Sequence, residues 1–253
     1  MLMNTDKFGK RRCHRPITVM ITFLVLFGTQ VASGKIGYLV AGMIPYQHLD
    51  PFDSFARISL HHAVQLLIAV ATVLVLHKRM HLDFQFRLGD KKAGIKALAM
   101  FTATFAVISV LQHALMAMNN QLPVYGFPLD AANVLGNLGF QLFLSGPTEE
   151  VVYRALPIVL LSHACGRSVS IKGSLTLEVV LSSVLFACAH IRWSLVPLTF
   201  EVDYFQILYA FVLGTIQGIV YQRSRSILYP VLMHSLSNVL MVGGGYVFTA
   251  WVS

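Results

Sequence analysis

The sequence predicts an all-α polytopic membrane protein, about seven transmembrane helices around a buried polar site. Three observations carry this. Of 253 residues 56% are hydrophobic and only 12% charged, about half the charged share, near 25%, of a soluble domain, and the mean hydropathy is +0.67. Apolar runs of about 20 residues, the length that crosses a bilayer core, recur with short loops between them. Last, Glu149, Glu150 and Arg154 stand in the apolar stretch 142–161. A charge at bilayer depth costs roughly 2.5–3.5 kcal/mol even on permissive scales, so such residues tend to be paired, buried and functional.

The spans follow from apolar length and from charged or Pro/Gly breaks. The first is 17–38, behind Lys7, Lys10, Arg11, Arg12 and Arg15. A basic head, an apolar run and small residues at 31–33 also fit a secretory signal. Apolar character resumes after Lys35 and runs to Ile44, which favours a retained helix. Further spans are 60–76, 95–118, 131–162, 175–191, 204–221 and 227–248. The stretch 131–162 is overlong: it is tilted, bent at Gly146-Pro147, or divided into two segments.

The loops alternate in charge. Loop 77–96 carries Lys78, Arg79, Arg87, Lys91, Lys92 and Lys96, loop 163–174 carries Arg167 and Lys172, and loop 222–226 carries Arg223 and Arg225. The loops between them are neutral or acidic. Every second loop is therefore basic, which gives a cytoplasmic N-terminus and an outward C-terminus. The net charge of +8 reflects this orientation signal, so the bilayer is the partner implied and nucleic acid is not.

Two units divide the chain by content, residues 1–130 as N-terminal helices with the basic loop and 131–253 as the region holding the polar motifs. Segment 84–92 is the only cytoplasmic stretch large enough for an amphipathic surface helix, although a plain orientation determinant is the favoured reading. Cys13, Cys165 and Cys188 are odd in number with no paired spacing, so neither a disulfide framework nor a thiolate cage is expected. Cys188 reads as a small packing residue.

Polar residues recur four apart on three spans: Glu150 and Arg154, Phe186 and His190, His234 and Asn238. Residues i and i+4 share a helix face, so each span turns a short stripe inward. At 1.5 Å per residue, Glu149 and His190 lie roughly 20 Å from the cytoplasmic ends of their spans, Asn238 roughly 16 Å and His234 roughly 10 Å. One level in the inner half of the bilayer is compatible with all four. The other histidines stay outside this set. His61 and His62 open the second span near the outer face, His77 and His81 belong to the basic loop, His113 sits late in the third span with no carboxylate nearby in sequence, and His163 stands at a helix end.

A carboxylate in an apolar pocket suits a general base for water, and two histidines with an Asn suit oxyanion stabilisation. The same residues permit a metal design, in which Glu149, His190 and His234 bind zinc with an open water position and Glu150 is the base. No HExxH helix is present to decide between them.

The motifs Glu149-Glu150-x-x-x-Arg154, Phe186-x-x-x-His190 and His234-x-x-x-Asn238, in that order, resemble the CPBP family, which comprises type II CAAX prenyl endopeptidases and the bacteriocin-processing or immunity (Abi) proteins. Segment 210–238 resembles its closing region. The resemblance covers 146–241 and implies an intramembrane endopeptidase in which 131–253 is the catalytic membrane core. It implies that Glu149 activates water, that Glu150 and Arg154 arrange the helix, and that His190, His234 and Asn238 bind the oxyanion or hold a metal. Both a glutamate and a metallo mechanism are proposed for the family, and glutamate chemistry is favoured. The compact form suggests a bacterial plasma-membrane protein acting on a leader peptide or a membrane-associated or prenylated protein. The alternatives are a non-catalytic scaffold or immunity protein of the same fold and, behind it, a small transporter, since intramembrane Glu and His also mark ion paths.

Overall fold

The computed structural model describes residues 13, 15–195 and 197–252; Lys7, Lys10, Arg11 and Arg12 lie outside the described residues. The chain is an all-α polytopic membrane protein. Helix α1 (Pro16–Met43), α2 (Ala56–Met80) and α3 (Lys91–Met118) come first. A continuous helical run, 131–165, follows as α4 (Ala131–Phe140), a π turn at Gln141–Ser145, α5 (Gly146–Glu150), a second π turn at Val151–Ala155 and α6 (Leu156–Cys165). Then come α7 (Leu177–Cys188), α8 (Tyr204–Ser224) and α9 (Leu228–Val252). Two short antiparallel hairpins complete the chain: β1 (Ser170–Lys172) with β2 (Leu175–Thr176), and β3 (Arg192–Leu195) with β4 (Leu198–Glu201). Among the described residues five helices, α1, α2, α3, α8 and α9, are long and apolar enough to cross a membrane.

Helix ends obey local chemistry. Pro16 opens α1, where its missing N–H costs nothing. Asp90, Asp130, Thr176 and Asp203 cap α3, α4, α7 and α8 by accepting from backbone N–H groups three residues on. The 131–165 run ends at Gly166, whose φ of 78° suits glycine.

The overlong stretch is neither divided nor broken at Gly146-Pro147. It stays helical and absorbs its two prolines next to π turns. Pro157 has no N–H to offer the carbonyl of Tyr153 or of Val152. Ser182 of α7 donates to the first, and Gln30 of α1 donates to the second at 3.1 Å. The distortion thus binds the run to helices on both sides.

Several expectations are corrected. The first span runs on to Met43, because nothing after Lys35 interrupts it. The stretch expected at 175–191 contracts to α7, 12 residues or roughly 18 Å. Its first residues pair as a hairpin strand, and the chain turns at Ala189 and His190. Segment 84–92 forms no surface helix before Lys91. It is extended, with Phe84 buried, and its backbone is held by Tyr221, Ile227 and Ser224 at the ends of α8 and α9. Gly89, at φ 54°, lies so close that a Cβ would sit 2.1 Å from the Ser224 carbonyl oxygen, a position that only glycine fills. Cys13 and Cys165 are joined as a disulfide with Cα atoms 5.4 Å apart. Residues 152 positions apart carry no spacing signal, and only the packing of α1 on α6 brings them together.

The loop between α1 and α2 is fixed by Asp50. Its buried carboxylate accepts from the backbone N–H groups of Ser54, Phe55 and Ala56 at 2.7–2.9 Å and from the Ser54 hydroxyl at 3.0 Å. Burial pushes this carboxyl up, but those hydrogen bonds outweigh it and hold it below its ordinary value. Asp50→Ala removes the cap of α2 and should cost about 0.5–2 kcal/mol. Because the folded-state value is depressed, the contribution is complete above the ordinary carboxylate range and is lost as pH falls through the folded value. Thermal unfolding in detergent should therefore show a constant deficit for Asp50→Ala from pH 5 to 8, closing only at roughly pH 4 and below.

Candidate active site

The site begins with an ion pair inside the 131–165 run. Glu150 Oε2 and Arg154 Nε lie 3.3 Å apart, one turn from each other, with both side chains wholly buried. They are at ion-pair distance without an aligned hydrogen bond. Arg154 Nη2 donates to Gln217 Oε1 of α8 at 2.8 Å, and its guanidinium stands 3.9 Å from the centre of the Phe186 ring of α7, a cation–π contact. Glu150 Oε1 accepts from His234 Nδ1 of α9 at 2.7 Å.

Consecutive residues point about 100° apart on a helix, so Glu149 leaves this network and faces a cavity. Its Oε1 lies 3.3 Å from both Ser145 Oγ and His62 Nε2, and its Oε2 lies 3.6 Å from His234 Nε2. Asn238 Nδ2 donates to Ser145 Oγ at 3.0 Å. His190 follows the end of α7 and donates from Nδ1 to the Phe186 carbonyl at 2.8 Å.

Two cavities meet here. One of about 480 Å³ is bounded by α3, α8 and α9, with Gln112, Tyr209, Gln217 and Asn238 in its wall. The other, about 590 Å³, is bounded by α1, α2 and α7, with Gln30, Lys35, His61 and Trp193. Both touch His62, Glu149, Phe186 and His190.

All six residues singled out from sequence meet in this one region: Glu149, Glu150, Arg154, His190, His234 and Asn238. Two further groups escaped that reading. His62, set aside as an outer-face residue, touches Glu149, because α2 packs against α5 with its first turns beside the site. Thr148 Oγ1 fixes this contact by donating to the His62 carbonyl at 3.2 Å. Ser145 carried a legible signal, standing four residues before Glu149 on the same helical face. His113 stays apart from the site, donating to the Ser109 carbonyl and stacking on Phe248.

The donor set does not converge on a metal. Among the described residues no group of three or more His, Cys, Asp or Glu could hold a metal ion, so Glu149, His190 and His234 do not form a ligand set here.

Removing one partner from a buried ion pair costs roughly 3–5 kcal/mol, because it strands the other charge. Arg154→Met should therefore sharply lower folded yield and the unfolding midpoint in detergent. Glu150→Gln added to Arg154→Met should recover part of the loss, since the stranded charge is gone. A double variant as unstable as the single one would show that the pair does not set the stability of this region.

With this geometry established, residues 131–240 match the family model of Type II CAAX prenyl endopeptidase Rce1-like proteins. Neither a curated protein nor a solved structure matches the chain.

Proposed function

We infer the function of this integral membrane protein from its five spanning-length helices and from the match of residues 131–240 to the Rce1-like endopeptidase model, which agrees with the resemblance that the three motifs carry. We propose that it is an intramembrane endopeptidase in which Glu149 activates water for attack on a peptide carbonyl. The observation that carries this reading is the placement of one carboxylate, Glu149, at the junction of two cavities, released from the ion pair that occupies Glu150.

The steps follow from the hydrogen-bond inventory. Water between Glu149 and the substrate carbonyl gives its proton to the carboxylate as its oxygen attacks. The proton then passes to the leaving amine as the C–N bond breaks. His190 has its Nδ1 proton on the Phe186 carbonyl, so its Nε2 is an acceptor that orients this water. Asn238 has a second amide N–H beyond the one given to Ser145, which serves the oxyanion. His234, whose Nδ1 donates to Glu150, places its Nε2 3.6 Å from Glu149 Oε2. Glu150 and Arg154 are positioning residues. The substrate is a protein or peptide at the membrane. The alternation of loop charge supports a cytoplasmic N-terminus, and the compact form supports a bacterial plasma membrane.

Cleavage of a membrane-peptide library in liposomes tests this. Glu149→Gln should lose roughly 10²–10⁴ in rate, the usual share of a general base, and Asn238→Ala roughly 10²–10³. A zinc chelator should leave wild-type cutting intact. Cutting unchanged by Glu149→Gln would sink the mechanism, and cutting lost to chelator and restored by zinc would replace glutamate chemistry with metal chemistry.

A further inference from the structure

We infer that the proposed active site opens to the face opposite the basic loops, so that the chain acts on peptide segments presented from the non-cytoplasmic side of its membrane. The kind of chemistry rests on the endopeptidase reading; the direction of opening does not.

The two ends of the bundle differ. From Glu149 toward the basic loops a packed layer closes the site, and the cavity of about 560 Å³ beyond that layer, lined by Asp83, Ile158, Tyr221 and Arg225, shares no residue with the two at the site. Val151, Val152, Ala155, Ile158, Tyr221 and Ile227 are all buried there, and Phe84 of the extended loop closes the base. Neither cavity reaches past Gln217 and His234 in this direction. Toward the other end both are open. Ile58 and Phe205, 39% and 70% exposed, rim the first cavity and are the third residue of α2 and the second of α8. Tyr38, 55% exposed, rims the second, five residues before the end of α1. At 1.5 Å per residue these rims lie within roughly 8 Å of the helix ends. Both mouths thus face one end of the bundle.

Charge assigns that end. Of 19 Lys and Arg residues, Lys35 and Arg154 lie more than one turn inside their helical runs at both ends, and only Arg57 and Arg192 lie at the open end. Every other one precedes α1 or belongs to the closed end and its loops. So steep a bias places the closed end in the cytoplasm. The Cys13–Cys165 bridge also lies at the closed end, and disulfides are rare in the cytoplasm. The charge bias acts when the chain inserts and involves most of its cations, whereas the bridge is a single pair. Charge therefore decides. The substrate class that follows is an exported peptide or the outer end of a membrane segment, not a cytoplasmic C-terminus.

Cysteine labelling tests the direction. In the full chain with Cys13, Cys165 and Cys188 changed to Ser, Gln206→Cys and Phe205→Cys each mark the first cavity's mouth and Lys172→Cys marks the closed end. Intact bacterial cells are treated with a membrane-impermeant maleimide, and a second sample is treated after permeabilisation. The mouth variants should label several-fold more than Lys172→Cys in intact cells, and Lys172→Cys should reach their level only after permeabilisation. The reverse order overturns the inference, as does a mouth that labels in neither sample. Using two mouth variants guards against one failing to accumulate. Labelling needs no cleavage, so outward labelling of a chain that cuts nothing would count against the endopeptidase reading alone.

Discussion

The wholly buried pair of Glu150 and Arg154 is the constraint on which the rest of the structure depends. Two charges taken out of water demand partners, and in this bundle the partners come from three other helices. Gln217 and the Phe186 ring meet the guanidinium from α8 and α7, while His234 meets the carboxylate from α9. A single i,i+4 spacing in one helix therefore dictates the angular setting of three neighbours. Gly214 of α8 shows how close the approach is, since a Cβ there would stand 3.2 Å from Arg154 Nη2.

The same helix is shaped by its prolines. A regular α-helix would carry Pro147 and Pro157 as kinks; here each lies at a π turn, and such turns are frequent at functional sites. Each π turn shifts the phase of the residues beyond it. Between the two turns stands α5, with Glu149 and Glu150. The carbonyls freed beside Pro157 are taken up by Gln30 and Ser182, so the distortion is fixed by tertiary contacts that a straight helix could not make.

Much of this was legible in the sequence. Charges in an apolar run announce themselves by their cost, and i,i+4 stripes on three spans identify the faces that meet. The unread parts share a physical cause, because they depend on which helix stands beside which. His62 looks remote because it opens the second span near the outer face, whereas the first turns of α2 pack beside Glu149. The Cys13–Cys165 contact and the docking of Phe84 under α8 are long-range results of packing with no local pattern. The shortness of α7 was hidden because Leu175, Thr176 and Ile191 are as apolar or as β-prone as the helix that they flank, and hydropathy does not separate a hairpin strand from a helix end.

The three histidines around Glu149 bring these threads together. His62 and His190 each place Nδ1 on a backbone carbonyl four residues earlier, an acceptor that forces the proton onto that nitrogen. His234 places Nδ1 on the Glu150 carboxylate. In neutral form each ring then has a bare Nε2, and those of His62 and His234 face the Glu149 oxygens. Two acceptors cannot bond without a proton between them, so the contact of His62 with Glu149 requires one proton more than the neutral rings and a carboxylate provide. A proton held between His62 Nε2 and Glu149 Oε1 would complete that contact. Under the proposed mechanism water would meet this carboxylate in a site whose buried guanidinium, Arg154, is already committed to Glu150. The buried pair thus does more than hold helices together: by satisfying Arg154 it leaves Glu149 free of that cation, as the proposed hydrolysis requires.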